Sequence, residues 1–426
     1  MTPEQSSAGP TLALSKTGCA LVLVTAFLGW MCAGWQLAIS SIAMRDAAKD
    51  LLVSGDEAEV GAWFGRLTCA FLLGAAFGGY VLGVVGDRFG RAKAMGLAIL
   101  CYSFFSAATV LVVEPWQLWV LRFLTCMGVG GMWPNGIALV SEAWPNISRP
   151  FLAGAIGTAA NFGIMLLSGV ASWRPVTADD WHWIMWFGAT PIVLGVFVMI
   201  FVPESPHWLA LKDGEADATK PQRAGLGEIF KRPLLATTIL GIALGTVPLF
   251  GGWGSSNWVM PWAAKVGSPE LKAHLSLARS LPGTISSLLG GGLALLMGRR
   301  RSYFVASLGS LISSQVLFWC LTPDSDHFWF IFWFAALGFF SGFFFGWLPL
   351  CLPELFPTRV RSTGAGVSFN WGRIVTALGI VASGELLRNV FHGDYAAIGR
   401  VTSLIYIAGM LVILFTPDTS QRSLQE

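Results

Sequence analysis

Long apolar stretches alternate with short polar segments along the whole chain. Twelve of these stretches can cross a bilayer, because a membrane-spanning helix needs about 20 mostly apolar residues. They lie at residues 17–44, 60–85, 92–113, 116–141, 151–173, 183–202, 234–264, 274–298, 302–321, 328–352, 362–387 and 398–416. The stretches are continuous, whereas the strands of a membrane barrel alternate apolar and polar residues. The pattern therefore predicts an all-α membrane protein with twelve transmembrane helices.

The predicted helices fall into two sets of six, and the second set repeats landmarks of the first. A Glu-x-x-Pro-x-x-x-Arg pattern occurs at 142–149 and again 212 residues later at 354–361. Half-length repeats in a very apolar chain are typical of secondary transporters, whose substrate binds between the repeats. We therefore expect two pseudo-symmetric six-helix bundles, over residues 1–202 and 234–426, joined by a charged, glycine-rich linker over 203–233.

The composition fits a bilayer. Hydrophobic residues make up 54% of the chain and charged residues 12%, with a mean hydropathy of +0.64, which excludes a soluble globular protein of this size. Of the 27 lysines and arginines, 16 fall in the termini and the loops on the linker side, and seven fall in the loops on the other side. By the positive-inside rule we expect both termini in the cytoplasm of a multi-pass inner-membrane or plasma-membrane protein.

The sequence lacks the residue patterns that nucleic-acid binding, metal binding or catalysis would need. The net charge of +3 comes without a basic domain, so no nucleic-acid partner is expected. The seven cysteines show no metal-ligand spacing and are interpreted as free thiols. No nucleophile and base, and no metal-ligand set, lies at membrane depth, so we expect neither an enzyme nor a bound metal or cofactor.

Three segments between the predicted helices resemble those of one transporter family. Residues 79–93, Gly-Tyr-Val-Leu-Gly-Val-Val-Gly-Asp-Arg-Phe-Gly-Arg-Ala-Lys, are similar to the signature loop of the major facilitator superfamily. Residues 203–209 resemble the sugar-porter signature, and residues 353–364 resemble the loop after the tenth helix of sugar, organic-ion and aromatic-acid transporters. The resemblance spans nearly the whole chain. It implies a monomer whose two bundles expose a central site alternately to each side of the membrane.

The resemblance also implies a charge network on the cytoplasmic side. Acids and arginines at repeat-equivalent positions would pair there and close that side while the transporter faces outward. The implied members are Asp87, Arg88, Arg91, Glu142, Arg149, Glu204, Arg300, Glu354 and Arg361, with Glu142, Glu204 and Glu354 paired to Arg88, Arg149, Arg300 and Arg361. The alternative is a set of solvated loop charges, which stabilise little.

One arginine lies near the middle of a predicted helix. An ionisable side chain inside the bilayer is expensive to insert and therefore indicates function. Arg373 is about eleven residues into the eleventh predicted helix, and Asn161 is its equivalent 212 residues earlier. A guanidinium offers a fork that matches a carboxylate or a phosphate. The alternative is a structural arginine held by helix carbonyls or by an acid.

Other polar and aromatic residues lie at similar depth. A pocket for a small solute combines aromatic walls with a few polar groups. The candidates beside Arg373 and Asn161 are Trp35, Gln36, Trp253, Asn257, Trp347 and Asn370. Three more arginines, Arg66, Arg122 and Arg279, lie nearer to the helix ends, from which each can snorkel outward.

We expect transport of a small organic anion of carboxylate type. The alternatives are a sugar or other neutral solute, held by Gln36, Asn161, Asn257 and Trp347, and a non-transporting receptor. Ala33-Gly34-Trp35-Gln36 stands where aromatic-acid symporters carry Asp-Gly-aromatic-Asp, which argues against proton symport by that route. Uniport, anion exchange and coupling through a helix-end acid such as Glu385 stay open.

Overall fold

The computed structural model describes residues 14–52, 55–144, 149–212, 226–266, 269–324, 327–357 and 360–417. Within these residues the chain is helical and contains no strand. Twelve long helices, here called spans 1 to 12, dominate the structure. Their bounds are Lys16–Ile42, Glu57–Phe89, Arg91–Ala108, Pro115–Ala143, Arg149–Trp173, His182–Phe201, Leu234–Val266, Pro269–Met297, Arg299–Cys320, His327–Glu354, Arg361–Asn389 and Tyr395–Leu414.

The spans coincide with the twelve predicted stretches. Eleven of them meet the length and hydropathy of a membrane-crossing helix, and span 5 is the twelfth. The prediction of an all-α protein with two six-helix bundles is confirmed, and spans 1–6 are called the N-bundle and spans 7–12 the C-bundle. The first stretch was predicted to reach residue 44, but span 1 ends at Ile42 and a separate short helix, Met44–Leu51, follows it. Buried Arg45 and Asp46 hold that short helix against the bundle.

Glycines let helices touch inside each bundle. A Cβ placed on Gly78 of span 2 would overlap the carbonyl of Met127 in span 4, and one on Gly130 of span 4 would overlap the carbonyl of Ala75. Their equivalents 212 residues later, Gly290 and Gly342, bring spans 8 and 10 together in the same way. Small residues allow such close approach, and van der Waals packing then replaces the hydrophobic effect, which is weak between helices in lipid.

The structure has two ends, which we call the linker face and the opposite face. The linker face carries the described chain ends and the start of the linker: the Cys19 thiol contacts Ala143 O at 3.3 Å, and Arg300 Nε donates to Thr416 O at 2.6 Å. The opposite face carries the short helix Met44–Leu51 and the first turn of span 8.

Two pairs of spans join the bundles. Span 2 packs along span 11, and span 5 packs along span 8. In the second pair the hydroxyls of Ser168 and Ser276 are 2.7 Å apart. The seam between the bundles therefore runs between spans 2 and 11 and between spans 5 and 8.

Span 7 is broken in its middle. Regular helix ends at Leu249, a wide π-type turn covers Phe250–Ser255, and a tight turn covers Ser256–Trp258 before helix resumes. Pro248 removes one backbone donor, and three glycines follow it within six residues. Irregular backbone at membrane depth is tolerated where it is buried in protein or lines a cavity, and wide turns of this kind are frequent at functional sites.

Candidate functional site

Arg373 lies between the two bundles, near the middle of span 11. Its Nη1 donates to Asn370 Oδ1 at 3.2 Å and lies 3.5 Å from Ala75 O in span 2. Its guanidinium lies over the Phe369 ring, 4.8 Å from the ring centroid. No carboxylate among the described residues contacts it, so a charged, partly exposed fork faces the seam without a counter-ion.

Trp253 brings span 7 to the same part of span 2. Its ring lies 4.5 Å from that of Phe71, and Ala75, which Arg373 approaches, is one helical turn further along. Arg373, Asn370 and Trp253 are therefore the predicted site residues that the structure places together, along one stripe of span 2. The stripe combines a cation, an amide and aromatic faces, which suits a flat anion.

Asn257 belongs to the break in span 7 but is enclosed. It is 1% exposed, and neither its amide nitrogen nor its oxygen has a hydrogen-bond partner among the described residues. The neighbouring Ser255 hydroxyl is also buried without a partner. Buried polar groups without partners are unfavourable, so these groups need water or a ligand that reaches the broken turn.

Gln36 is used inside the N-bundle. It is fully buried, its Nε2 donates to Gly188 O at 2.9 Å, and its Oε1 accepts from Arg122 Nη1 at 3.1 Å. Arg122 also donates to Gln36 O at 3.0 Å and to the Ser40 hydroxyl at 2.5 Å. In this conformation Gln36 does not face the seam, because its side chain serves as the acceptor of a buried arginine.

The other predicted pocket residues are scattered. Trp347 is 2% exposed and donates to Arg299 O at 2.9 Å, which places it inside the C-bundle toward the linker face. Trp35 packs its ring 4.7 Å from Phe187 within the N-bundle. Asn161 is half-buried on span 5.

The three arginines predicted near helix ends differ in position. Arg122 is fully buried and does not snorkel, because Gln36 and Ser40 accept hydrogen bonds from both of its terminal nitrogens within the bundle. Arg279 also turns inward and lies over the Phe334 ring, 5.8 Å from its centroid. Arg66 reaches the opposite face as expected and pairs there with Glu385 at 2.7 Å. Helix rotation decides these outcomes, and runs that are apolar on every side do not reveal it.

On the linker face Glu204 caps a helix. Its Oε1 accepts from the amide of Ala92 at 2.9 Å, at the positive end of span 3. Gly90, with φ of +116°, leaves the room for this carboxylate, since a Cβ there would overlap Glu204 Oε2. Asp87 pairs instead with Arg91 at 2.5 Å. The segment that resembles the sugar-porter signature thus fastens the start of the linker to the N-bundle.

The remaining members of the predicted cytoplasmic network also make contacts within one bundle or its adjoining linker. Glu142 accepts from the Ser205 hydroxyl, and Glu354 pairs with Arg299 at 3.0 Å where Arg300 or Arg361 was expected. Arg300 binds the Thr416 carbonyl, Arg361 lies 3.5 Å from Phe356 O, and Arg88 is exposed. The side chain of Arg149 lies outside the described part of the structure. Each described ion pair on this face is internal to a bundle.

On the opposite face, charges join the two bundles. Lys272 of span 8 binds Asp46 of the short helix and donates to Val176 O at 2.9 Å. Glu59 of span 2 pairs with Arg388 of span 11 at 3.2 Å. Together with Arg66 and Glu385, these contacts hold spans 2 and 11, and the starts of the two bundles, against each other.

Glu57 adds a further tie on the opposite face. It accepts three hydrogen bonds from Arg45, of 2.7, 2.8 and 3.1 Å, and one from the Tyr395 hydroxyl of span 12 at 2.9 Å. Burial lowers the pKa of Arg45, but Glu57, Tyr395 and Asp46 raise that pKa by more, so its guanidinium stays charged. The seam is therefore closed at the opposite face in this conformation.

Neither a metal centre nor a disulfide is seen in the described residues. No group of three His, Cys, Asp or Glu side chains there is arranged to hold a metal ion, and the seven cysteines are free.

Comparison with known proteins identifies relatives along the whole chain. Residues 20–380 match the family model of the major facilitator superfamily. The cis,cis-muconate transport protein of Acinetobacter baylyi is 24% identical over 408 residues, which cover 93% of this chain and 94% of that protein. The 4-hydroxybenzoate transporter PcaK of Pseudomonas putida is 33% identical over 157 residues, 37% of this chain and 35% of that protein. A solved structure of the Escherichia coli xylose transporter XylE superposes with a TM-score of 0.75 at 17% identity, covering 96% of this chain and 100% of that one.

Proposed function

Because the chain belongs to the major facilitator superfamily and is a membrane transporter, not an enzyme, we propose that it carries a small organic anion of carboxylate type. Arg373 holds the acid group between the bundles, and Asn370 and Trp253 line the same stripe. The two bundles then rock about this site and expose it alternately to each side.

This proposal rests on the guanidinium of Arg373, which no carboxylate among the described residues contacts. Transferring a cation from water into a protein interior is unfavourable unless a partner is present. Arg373 has one amide oxygen, one distant carbonyl and one aromatic ring. A planar carboxylate supplies the missing charge and fits the fork of the guanidinium.

The relatives support an acid cargo. Muconate and 4-hydroxybenzoate, in the names of two of them, are carboxylate anions. The xylose transporter shares the fold at 17% identity, which supports the architecture and leaves a sugar cargo without a specific observation in its favour.

The linker face is the cytoplasmic side in this proposal, as the excess of lysine and arginine in its loops indicates. The two bundles comprise residues 1–202 and 234–426 with 203–233 as their linker, and the protein acts as a monomer in the inner or plasma membrane. The closed opposite face then makes this conformation inward-facing.

Coupling to protons is not part of the proposal. Arg122 is held by the neutral amide of Gln36, and Glu385 is paired with Arg66 and hydrogen-bonded to Asn389. We infer uniport or exchange of one anion for another.

Ligand-induced thermal stabilisation of the detergent-purified protein tests the cargo class. A ligand at 100 times its Kd stabilises the folded state by about 2.7 kcal/mol. We expect small carboxylates to raise Tm, Arg373→Ala to abolish that rise, and Arg373→Lys to retain part of it. Arg174→Gln is the matched control, because Arg174 is exposed and its described contacts, with Asp180 and the Trp183 ring, lie near it in the chain.

Stabilisation by sugars alone, or carboxylate binding that survives in Arg373→Ala, would contradict the proposal. In either case Arg373 is structural, and a neutral solute becomes the better cargo.

A further inference from the structure

Each bundle turns one arginine inward against its first span. In the N-bundle this is Arg122 of span 4, whose Nη2 donates to the Ser40 hydroxyl of span 1. In the C-bundle it is Arg279 of span 8, whose Nη2 lies 3.5 Å from the position of a Cβ on Gly252 in span 7. Gly252 is the equivalent of Ser40, 212 residues later. The two guanidiniums therefore occupy matching places, although they come from different helices.

A second position also shows that Arg279 of span 8 takes the place of an arginine on span 10. The equivalent of Arg122 in the C-bundle is Phe334, and the Arg279 guanidinium lies over that ring at 5.8 Å. Its stem packs against Gly338 of span 10, where a Cβ would meet Arg279 Cγ at 3.0 Å. Arg279 thus fills the space that an arginine on span 10 would occupy.

The two arginines differ in their partners. Arg122 donates to the Gln36 side chain, the Gln36 carbonyl and the Ser40 hydroxyl. Arg279 has no hydrogen-bond acceptor and no carboxylate among the described residues, and glycine replaces the serine that would serve it. A guanidinium carries five donors. The described residues of the C-bundle offer those of Arg279 no acceptor, whereas the N-bundle provides acceptors for both terminal nitrogens of Arg122.

Buried hydroxyls lie beside the same turn of span 7. The Tyr406 hydroxyl lies against Gly251, the neighbour of Gly252, and it is fully buried and faces the Ser310 hydroxyl of span 9. Neither hydroxyl is hydrogen-bonded to any other described group. A cation beside hydroxyl groups that can donate makes a site for an anionic oxygen.

This site is contiguous with the proposed substrate stripe. Gly252 precedes Trp253, whose ring meets Phe71, and Arg373 approaches span 2 one turn away from Phe71. Arg279 is itself partly exposed. An elongated ligand that lay along the Trp253 ring would have one of the two cations near each end.

We propose that Arg279 binds the second acidic group of a substrate whose first acidic group is held by Arg373, so that the preferred cargo is a dicarboxylate. This inference rests on the proposed function and makes its substrate class narrower.

The test compares mono- and dicarboxylates of equal length. Equilibrium binding to the purified protein is measured for butanoate against butanedioate, hexanoate against hexanedioate, and octanoate against octanedioate. A charge-assisted hydrogen bond at the second carboxylate predicts a preference of about tenfold for the dicarboxylate at the best length. Arg279→Gln should bring this ratio to about one while monocarboxylate affinity stays within about twofold.

A second variant, Gly252→Ser, tests the inference even if Arg279→Gln does not fold. Gly252→Ser places a hydroxyl beside Arg279 as Ser40 does beside Arg122, and its Cβ meets only Arg279 Nη2 at an ordinary contact distance of 3.5 Å. The hydroxyl should accept a hydrogen bond from the guanidinium of Arg279. It should thereby lower the preference for dicarboxylates several-fold while the charge of Arg279 stays. Arg174→Gln serves again as the control.

Three results would overturn the inference. One is a wild-type ratio of one at every length, and another is a ratio that both variants leave unchanged. The third is chloride alone stabilising the wild type but not Arg279→Gln while the ratio is one, because the site then takes an inorganic anion. If Arg373→Ala bound carboxylates as well as the wild type does, the proposed function itself would be refuted.

Discussion

The two faces of the molecule use charged residues in opposite ways. On the opposite face, Lys272 with Asp46, Arg388 with Glu59 and Arg66 with Glu385 join one bundle to the other. On the linker face, the described pairs of Asp87 with Arg91 and Glu354 with Arg299 each lie within one bundle. Charges that cross the seam break when the bundles separate, whereas charges inside a bundle move with it. We therefore expect the first set to govern the conformational equilibrium and the second set to stabilise each bundle.

The largest effect is expected from fixing the opposite face permanently. The hydroxyls of Ser168 and Ser276 meet across the seam at 2.7 Å, so Ser168→Cys with Ser276→Cys should form a disulfide on oxidation. Transport in proteoliposomes should stop and recover on reduction, because the seam cannot open. Each single cysteine variant, oxidised in the same way, is the control. Full transport by the crosslinked protein would show that this part of the seam does not open.

The next effect is expected from the buried pair. Lys272 is 2% and Asp46 5% exposed, and Asp46 also pairs with buried Arg45 at 3.1 Å. Lys272→Gln therefore leaves Asp46 with one of its two cations, so we expect a cost below the roughly 3–5 kcal/mol of a buried charge that loses its sole partner. The closed opposite face should become less populated. Modification of Ser276→Cys by a membrane-impermeant thiol reagent, in a Cys320→Ser background, should accelerate by at least tenfold. Adding Asp46→Asn should reverse most of the change, and failure of that reversal would point to general unfolding.

A smaller effect is expected at the rim. Arg66 and Glu385 are 27% and 38% exposed, and exposed pairs contribute about 0.2–1 kcal/mol. Arg66→Gln should accelerate the same thiol modification by about two- to fivefold, and less in high salt because exposed charges are screened. An effect as large as that of Lys272→Gln would mean that the rim pair dominates the closed state.

The smallest effect on opening is expected from the linker face. Arg299→Gln removes a pair internal to the C-bundle, so Tm should fall while thiol modification at Ser276→Cys stays within about twofold of the parent. A large change in modification would place this pair in the gate after all, and would remove the contrast between the two faces.

The sequence predicts the spans and the depth of polar residues well. Apolar runs of about 20 residues leave few alternatives to a membrane helix, and an arginine such as Arg373 is visible in such a run without any structure. The partners of these residues could not be predicted. Glu354 selects Arg299 over the adjacent Arg300 because consecutive helical residues point in different directions, and the sequence does not show which one faces span 10.

Contacts across the seam were the least accessible to sequence reasoning. Lys272 and Asp46 are 226 positions apart. Both lie in loops or helix ends, where the sequence predicts solvent-exposed charges. Their burial follows from how the bundles dock. The role of Gln36 was hidden for a related reason, since the direction of its side chain depends on the rotation of span 1.

Backbone contact between spans has a thermal consequence. At Gly78 and Gly130, and again at Gly290 and Gly342, neighbouring helices are in direct contact, so we expect each bundle to keep its interior packing during a cycle. The apolar area that meets water should then change only along the seam, and the heat capacity of activation, which follows exposed area, should stay small. Turnover is therefore expected to give a nearly linear Arrhenius plot.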